Sequence, residues 1–230
     1  MNQELIFKTT NYLSPYLFYN KFLFWLVRLQ PFVATSGKPP VDANTFVNAM
    51  RIQYGCGLRV SEGLNLIKSD FDLNHRMLTI RMPKTGRKRK FRSDGTIIES
   101  MIAQKTTILP YDIPVIEKHL AGLSKNDIVF PINRHFVWEY AKDAGRLAGL
   151  NISEIQKTKV IDGVWTHLMR KSCSKRMAEL GASRELRMKK LRHAFRDAHD
   201  AYDTIDYNAL LEWEDKQFGS RQMVTKEMST

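Results

Sequence analysis

Apolar residues recur at helical spacing along most of this 230-residue chain, and only two short runs in its middle alternate as strands do. That pattern confines the chain to a mainly α fold with a small antiparallel β-sheet, an α+β class. Asp42 stands as an N-cap ahead of Phe46, Val47, Met50 and Ile52, and Gly55 and Gly57 close that helix. Ser61 is placed to open another helix through Leu64 and Leu66. Helical patterns return at 114–120, 136–147, 167–180 and 184–193. The strand candidates are 77–80, with Thr85 and Gly86 as a nearby turn, and 106–109.

Ahead of this region, Tyr12, Tyr16, Tyr19, Leu23 and Leu26 give the first segment an aromatic helical face. Residues 31–40 collect Pro, Gly, Ser and Thr and read as a linker. The most apolar stretch, residues 17–27, is interrupted by Asn20 and Lys21 and is about half the roughly 20 residues a membrane span needs. It also lacks the basic start and small-residue cleavage site of a signal peptide. The expected organisation is an aromatic helix and linker over 1–40, one domain over 41–215 and a polar tail over 216–230.

Charge narrows the function. Lys plus Arg is 36 against 24 for Asp plus Glu, a net charge of +12, which favours a polyanionic partner. From Arg81 to Arg92 there are seven basic residues and no acid, and from Arg170 to Arg192 nine basic residues against Glu179 and Glu185. Such clusters suit phosphate neutralisation on DNA or RNA. Arg81, Arg87, Lys88, Arg89, Lys90, Lys171, Lys175 and Arg192 are the candidate contacts. Two cysteines, Cys56 and Cys173, fit a reducing interior, and neither has zinc spacing. Nucleotide-loop and metal-binding motifs are missing from the sequence, so chemistry by side chains alone is expected, with no cofactor and no metal.

Four pieces stand out together: Gly57-Leu58-Arg59-Val60-Ser61-Glu62, Lys84-Thr85-Gly86, His167-Leu168-Met169-Arg170, and Leu191-Arg192-His193 followed nine residues later by Tyr202. They resemble, in order, the G-L-R-x-S-E box, the hairpin lysine, the H-x-x-R box and the L-G-H box with its tyrosine in the tyrosine recombinases, a family of DNA strand-transfer enzymes. The resemblance covers about residues 42–215. It implies a site-specific recombinase or integrase that cleaves at paired attachment sites, exchanges strands and reseals them. Arg59 and Arg170 would clamp the scissile phosphate, His167 and His193 would support it, Lys84 would protonate the leaving oxygen, and Tyr202 would form a 3′-phosphotyrosyl link. Glu62, one turn after Arg59, would orient a basic catalytic side chain. The implied partners are a double-stranded DNA attachment site, further protomers in a synaptic tetramer and an accessory DNA-bending protein, in a cytoplasmic, nucleoid-associated setting. The segment after Tyr202, with Tyr207, Leu210, Leu211 and Trp213, would dock on a neighbouring protomer.

The residue types suit that chemistry on their own terms. Moving a phosphodiester from one alcohol to another is nearly isoenergetic, so no ATP is required. The step needs a nucleophile that can hold the phosphate. It needs permanent charge on the non-bridging oxygens, which guanidinium forks supply. It also needs an acid for the leaving group. Lys88, Lys90 and Lys105 compete with Lys84 for that last role, and Tyr207 competes with Tyr202. Cys173, Met177, Trp138 and Trp165 read as packing residues, and His75, His119, His135 and His199 as surface or loop residues. Three departures from the family pattern are visible. Arg192 replaces the usual glycine before the histidine, about twenty residues separate Lys84 from the Thr106 strand, longer than a tight hairpin, and residues 1–40 are too short for the family's separate core-binding domain. The alternatives are a type IB topoisomerase-like enzyme and a DNA-binding regulator without catalysis.

Overall fold

The computed structural model describes residues 17–24, 42–81, 87–91, 97–101, 103–150, 153–156, 159–162, 167–193 and 206–219. Lys84, Trp165, His199 and Tyr202 lie outside these residues. So do the tail beyond 219 and most of residues 1–41. The described part is mainly helical with a small three-stranded antiparallel sheet, as the periodicity predicts.

Helix α1, Ala43–Gly55, is the central element, with Phe46, Ala49, Met50, Ile52 and Tyr54 all buried. Phe18 and Phe22, on a π-helical turn at Leu17–Phe22, are fully buried against the same core. The Phe18 ring stacks on Tyr54 with centroids 4.0 Å apart. Part of the aromatic N-terminal segment therefore packs on its own domain. Gly57 follows with φ +60°, where a Cβ would also come within 2.5 Å of Leu191. Only glycine meets both demands. The short helix α2, Val60–Leu64, then begins one residue earlier than Ser61 predicts, with Arg59 at its N-cap.

The sheet has the order β1-β2-β5, built from Phe71–Asp72, Met77–Ile80 and Gln104–Thr107. In its register, Leu78 faces Thr106 and Ile80 faces Gln104. The last strand lies two residues before the predicted run, so that Thr106 and Thr107 are buried polar residues. The gap between Lys84 and that strand, too long for a tight turn, is occupied by a second antiparallel pair. It joins β3 (Arg87–Phe91) to β4 (Ile97–Met101), with Arg89 opposite Glu99. The basic run Arg87, Lys88, Arg89 and Lys90 is thus strand backbone. A third pair, β6 (Ser153–Gln156) with β7 (Lys159–Asp162), was not expected from the sequence.

Helices α3 (Ile113–Leu120), α4 (Arg134–Leu147), α5 (Leu168–Glu179) and α6 (Arg184–Leu191) fall where the helical spacing puts them. Ser183 caps α6 by accepting the Leu186 amide at 3.3 Å. A second core forms from Cys173, Met177, Ala182, Leu191 and Leu210. Leu210 belongs to α7, Tyr207–Phe218.

Several sequence expectations are corrected here. Within the single chain, the front of the segment after Tyr202 packs on its own domain. Helix α7 buries Leu210, Glu214 and Phe218 on its own chain, and Arg76 ties it to the sheet by donating to Asp215 and to the Leu211 carbonyl. Trp138 is not a packing residue. It is 45% exposed on α4, with the Lys142 ammonium 5.2 Å from its ring. His119 is a packing residue, stacked on Phe130 and bonded to the Val129 carbonyl at 3.1 Å. His75 and His135 are exposed, paired with Asp72 and Glu139. Cys173 and Met177 are buried, as their helical face requires, and burial pushes the Cys56 thiol up to about 12. Among the described residues, no helix is long and apolar enough to cross a membrane.

Candidate active site

Three guanidinium groups converge on one carboxylate. Glu62 lies on α2, three residues after Arg59, and its side chain is 1% exposed. Its Oε2 accepts the Arg59 amide at 2.9 Å, which caps the helix, and its Oε1 accepts Arg59 Nη1 at 2.7 Å. Arg192, arriving from the end of α6, donates Nη2 to Oε2 at 2.7 Å. Arg170, from the first turn of α5, stands 4.0 Å away. Burial alone would push the Glu62 carboxyl up, but Arg192 and the Arg59 hydrogen bonds outweigh it and hold the group below the ordinary range. Glu62 is therefore ionised at neutral pH, and one negative charge faces three positive ones.

The site forms where it does because Gly57 lets the α1–α2 connection fold against α5 and α6. Arg170 donates Nη1 to the Gly57 carbonyl at 2.5 Å and Nη2 to the Leu191 carbonyl. These bonds lock the chain before Arg59 to the chain before His193. Burial, followed by repulsion from Arg192 and Arg59, lowers the Arg170 pKa to about 10, which still leaves it charged at neutral pH. Arg170 is 4% exposed, whereas Arg59 is 21% exposed at the rim. Each terminal nitrogen of Arg170 gives one hydrogen to a carbonyl and keeps a second. Arg170 lies beneath the rim and Arg59 at it.

The two histidines sit at the open side. His167 is exposed at the N-cap of α5. His193 follows the left-handed Arg192, and its amide donates to the Met188 carbonyl at 3.0 Å. Partial burial, then Arg170, Arg59, Arg192 and His167, hold the His193 imidazole below its ordinary value. It is neutral at pH 7, able to donate from one nitrogen and accept at the other.

The remaining predicted residues divide. Lys84 and Tyr202 lie outside the described residues. Arg81 is exposed but bonded through Nε to Asp70 at 2.8 Å and through Nη2 to the Asn65 carbonyl. Lys175 is exposed and Lys171 half-buried on α5, next to the site. Arg192 departs from its expected role as a DNA contact, since its guanidinium is 2% exposed and turned inward to Glu62. Sequence reasoning also missed the pair just behind it. Lys190 donates to Glu214 Oε1 at 2.6 Å, to Thr107 Oγ1 at 2.8 Å and to the Thr107 carbonyl at 2.9 Å. Tyr207, the rival to Tyr202, donates its hydroxyl to the Lys105 carbonyl at 2.8 Å, and burial raises its pKa. Both features make it a poor nucleophile.

This combination of a helical domain, a small sheet and clustered guanidinium and imidazole groups at the junction of α1–α2, α5 and α6 is the fold of the tyrosine recombinase catalytic domain. The phage integrase family model matches residues 38–208, and the chain belongs to that family. No curated protein matches it significantly. Among solved structures, it resembles the XerH site-specific recombinase bound to difH substrate in a pre-cleavage complex. That likeness has 17% identity and a TM-score of 0.52, over 85% of this chain and 50% of that one. The integrase of mycobacterium phage Brujita gives 14% identity and a TM-score of 0.54, over 91% and 58%. The Tn1549 transposon integrase in complex with transposon right end DNA gives 13% and 0.53, over 94% and 68%. The chain thus spans about half to two-thirds of the length of these relatives.

Proposed function

We propose that this chain is the catalytic domain of a site-specific DNA recombinase that cuts and rejoins duplex DNA through a 3′-phosphotyrosyl bond to Tyr202. The observation that carries the reading is the surplus of positive charge around Glu62 among the described residues. Three guanidinium groups around one carboxylate leave two positive charges over, of which a phosphodiester neutralises one and the dianionic pentacoordinate transition state both. Arg59, at the rim, contacts a non-bridging oxygen, and His167 and His193 donate to the same phosphate. Arg170 contributes charge from beneath. The Tyr202 oxygen attacks phosphorus, the bond from phosphorus to the 5′-oxygen breaks, and the departing oxygen takes a proton from Lys84. The phenolic proton passes to a neighbouring base, for which His167 is the candidate. A 5′-hydroxyl from a second strand reverses these steps and restores free Tyr202. Each phosphodiester broken is replaced by another, so the cycle consumes no high-energy cofactor. Paired sites imply an assembly of protomers on DNA, and the basic strand β3 is the candidate second contact with the backbone.

The test uses nicked or phosphorothiolate duplexes made from DNA flanking the gene, separated on a denaturing gel. A covalent protein–DNA band is expected from the wild type and from Tyr207→Phe, and its loss is expected in Tyr202→Phe. Loss in Tyr207→Phe instead would remove Tyr202 as the nucleophile.

A further inference from the structure

Arg192 ends α6 in the left-handed conformation, with φ 54°. A non-glycine residue is strained there, so an arginine at this position needs a compensating set of contacts. The structure supplies one. Nη2 donates to Glu62 Oε2 at 2.7 Å and to the Gly57 carbonyl at 3.5 Å. Nη1 donates to the carbonyls of Lys190 at 3.1 Å and Cys56 at 3.3 Å. One buried side chain thus ties the end of α6 to the α1–α2 connection and to the carboxylate that holds Arg59. Its own backbone leads directly into His193.

We propose that Arg192 is a positioning residue of the phosphate site. By occupying one oxygen of Glu62 and the carbonyls of Cys56 and Gly57, it sets Arg59 and His193 in register without touching DNA. The chemical consequence rests on the recombinase reading, while the geometric consequence does not. Among the described residues, the groups that act on His193 are Arg170 and His167 at the start of α5, Arg59 at the start of α2 and Arg192 in its own turn. Deleting the Arg192 charge therefore lets the His193 imidazole titrate at higher pH.

The test compares Arg192→Met, Arg192→Gly and Arg192→Lys in the full chain. The glycine variant accepts the left-handed φ and covers the case in which methionine does not fold. On the nicked duplex, Met and Gly are expected to slow covalent-complex formation by about tenfold to a hundredfold. Lys is expected to recover part of the rate. Because the side chain does not reach DNA, its removal should leave the salt dependence of binding unchanged in an Arg59→Ala background, where the contact of Arg59 is already gone. A Glu62→Gln change should add little further loss on top of Arg192→Met. Nuclear magnetic resonance of the His193 ring, recorded without DNA, should show its titration moved upward in Met and Gly. A salt slope reduced by about one in the Arg59→Ala background would mark a phosphate contact, and that result overturns the proposal. So does an unchanged cleavage rate, or failure of both variants to fold. If the wild type never forms a covalent complex, the recombinase reading fails separately. The His193 titration then decides the geometry alone, an upward move supporting it and an unchanged curve overturning it.

Discussion

Lys190 and Arg192 leave the end of α6 two residues apart, and both side chains are buried, yet they enter opposite kinds of environment. Lys190 meets one carboxylate, Glu214, with Thr107 completing the bonds in a closed space between α6, α7 and β5. Burial pushes the Lys190 ammonium down, but the neighbouring Glu214 carboxylate pulls it up further, so its pKa rises. Charge there is balanced one to one. Arg192 meets Glu62, which already serves Arg59 and stands near Arg170. Among the described residues, charge there is left over, and Arg59, His167 and His193 are the more exposed members of the site. The balanced cluster serves folding. The unbalanced one is kept at some expense to stability, which is what a site awaiting an anion requires.

Breaking the closed pair should give the largest change in stability. Lys190→Met leaves Glu214 buried without its cation and is expected to lose about 3–5 kcal/mol in denaturant melts. Replacing both groups, Lys190→Met with Glu214→Leu, should recover most of that loss. Equal losses in the single and double variants would mean that the pair is not the source. The open cluster should behave in the reverse way. Arg59→Ala is expected to lower the rate of covalent-complex formation by about 10²–10³, the usual worth of one preorganised donor, while leaving Tm near the wild type because Arg192 still serves Glu62. A large fall in Tm with a small fall in rate would erase the distinction between the two clusters.

The contrast also has a pH signature. Asp112 borders the closed side, with Oδ1 3.5 Å from Arg51 Nη1, and burial raises its pKa from 3.8 to about 6 against the pull of Arg51, Arg176 and Lys190. A raised carboxyl favours the fold fully below its unfolded value, and that contribution is lost as pH rises through about 6. Glu62 has the opposite sign, since its lowered pKa makes its contribution present above 4.5 and lost as pH falls. Melts from pH 4 to 8 should therefore show the wild type losing roughly 2–3 kcal/mol, relative to Asp112→Asn, as the pH rises. Parallel curves would contradict the assignment. The smallest effect is expected on the surface. Lys171→Ala and Lys175→Ala should each lower the salt slope of DNA binding by about 0.9 with little change in cleavage chemistry.

Much of the fold was legible because it is local. The apolar spacing placed α1, α3, α4, α5 and α6 within a few residues, and Gly57 marked a turn that only glycine can make. The converging residues were legible through their ordered boxes, Arg59 and Glu62 in one and His167 and Arg170 in another. What escaped depends on partners distant in sequence. Nothing near Lys190 or Arg192 tells that one meets Glu214 and the other Glu62, so both read as members of a basic cluster facing nucleic acid. The β3–β4 pair was hidden because Arg87, Lys88, Arg89 and Lys90 carry no apolar alternation. Helix α7 read as a docking segment because its apolar front fits either its own chain or another.

The central claim is that the charge left over around Glu62 holds a phosphate that becomes joined to Tyr202. Digesting the complex trapped on a nicked duplex and sequencing the DNA-linked peptide by mass spectrometry tests it most directly. The account predicts a single adduct, localised by fragmentation to Tyr202 itself, about a hundredfold or more scarcer in Arg59→Ala. An adduct on Tyr207, or one formed equally well without Arg59, would contradict it.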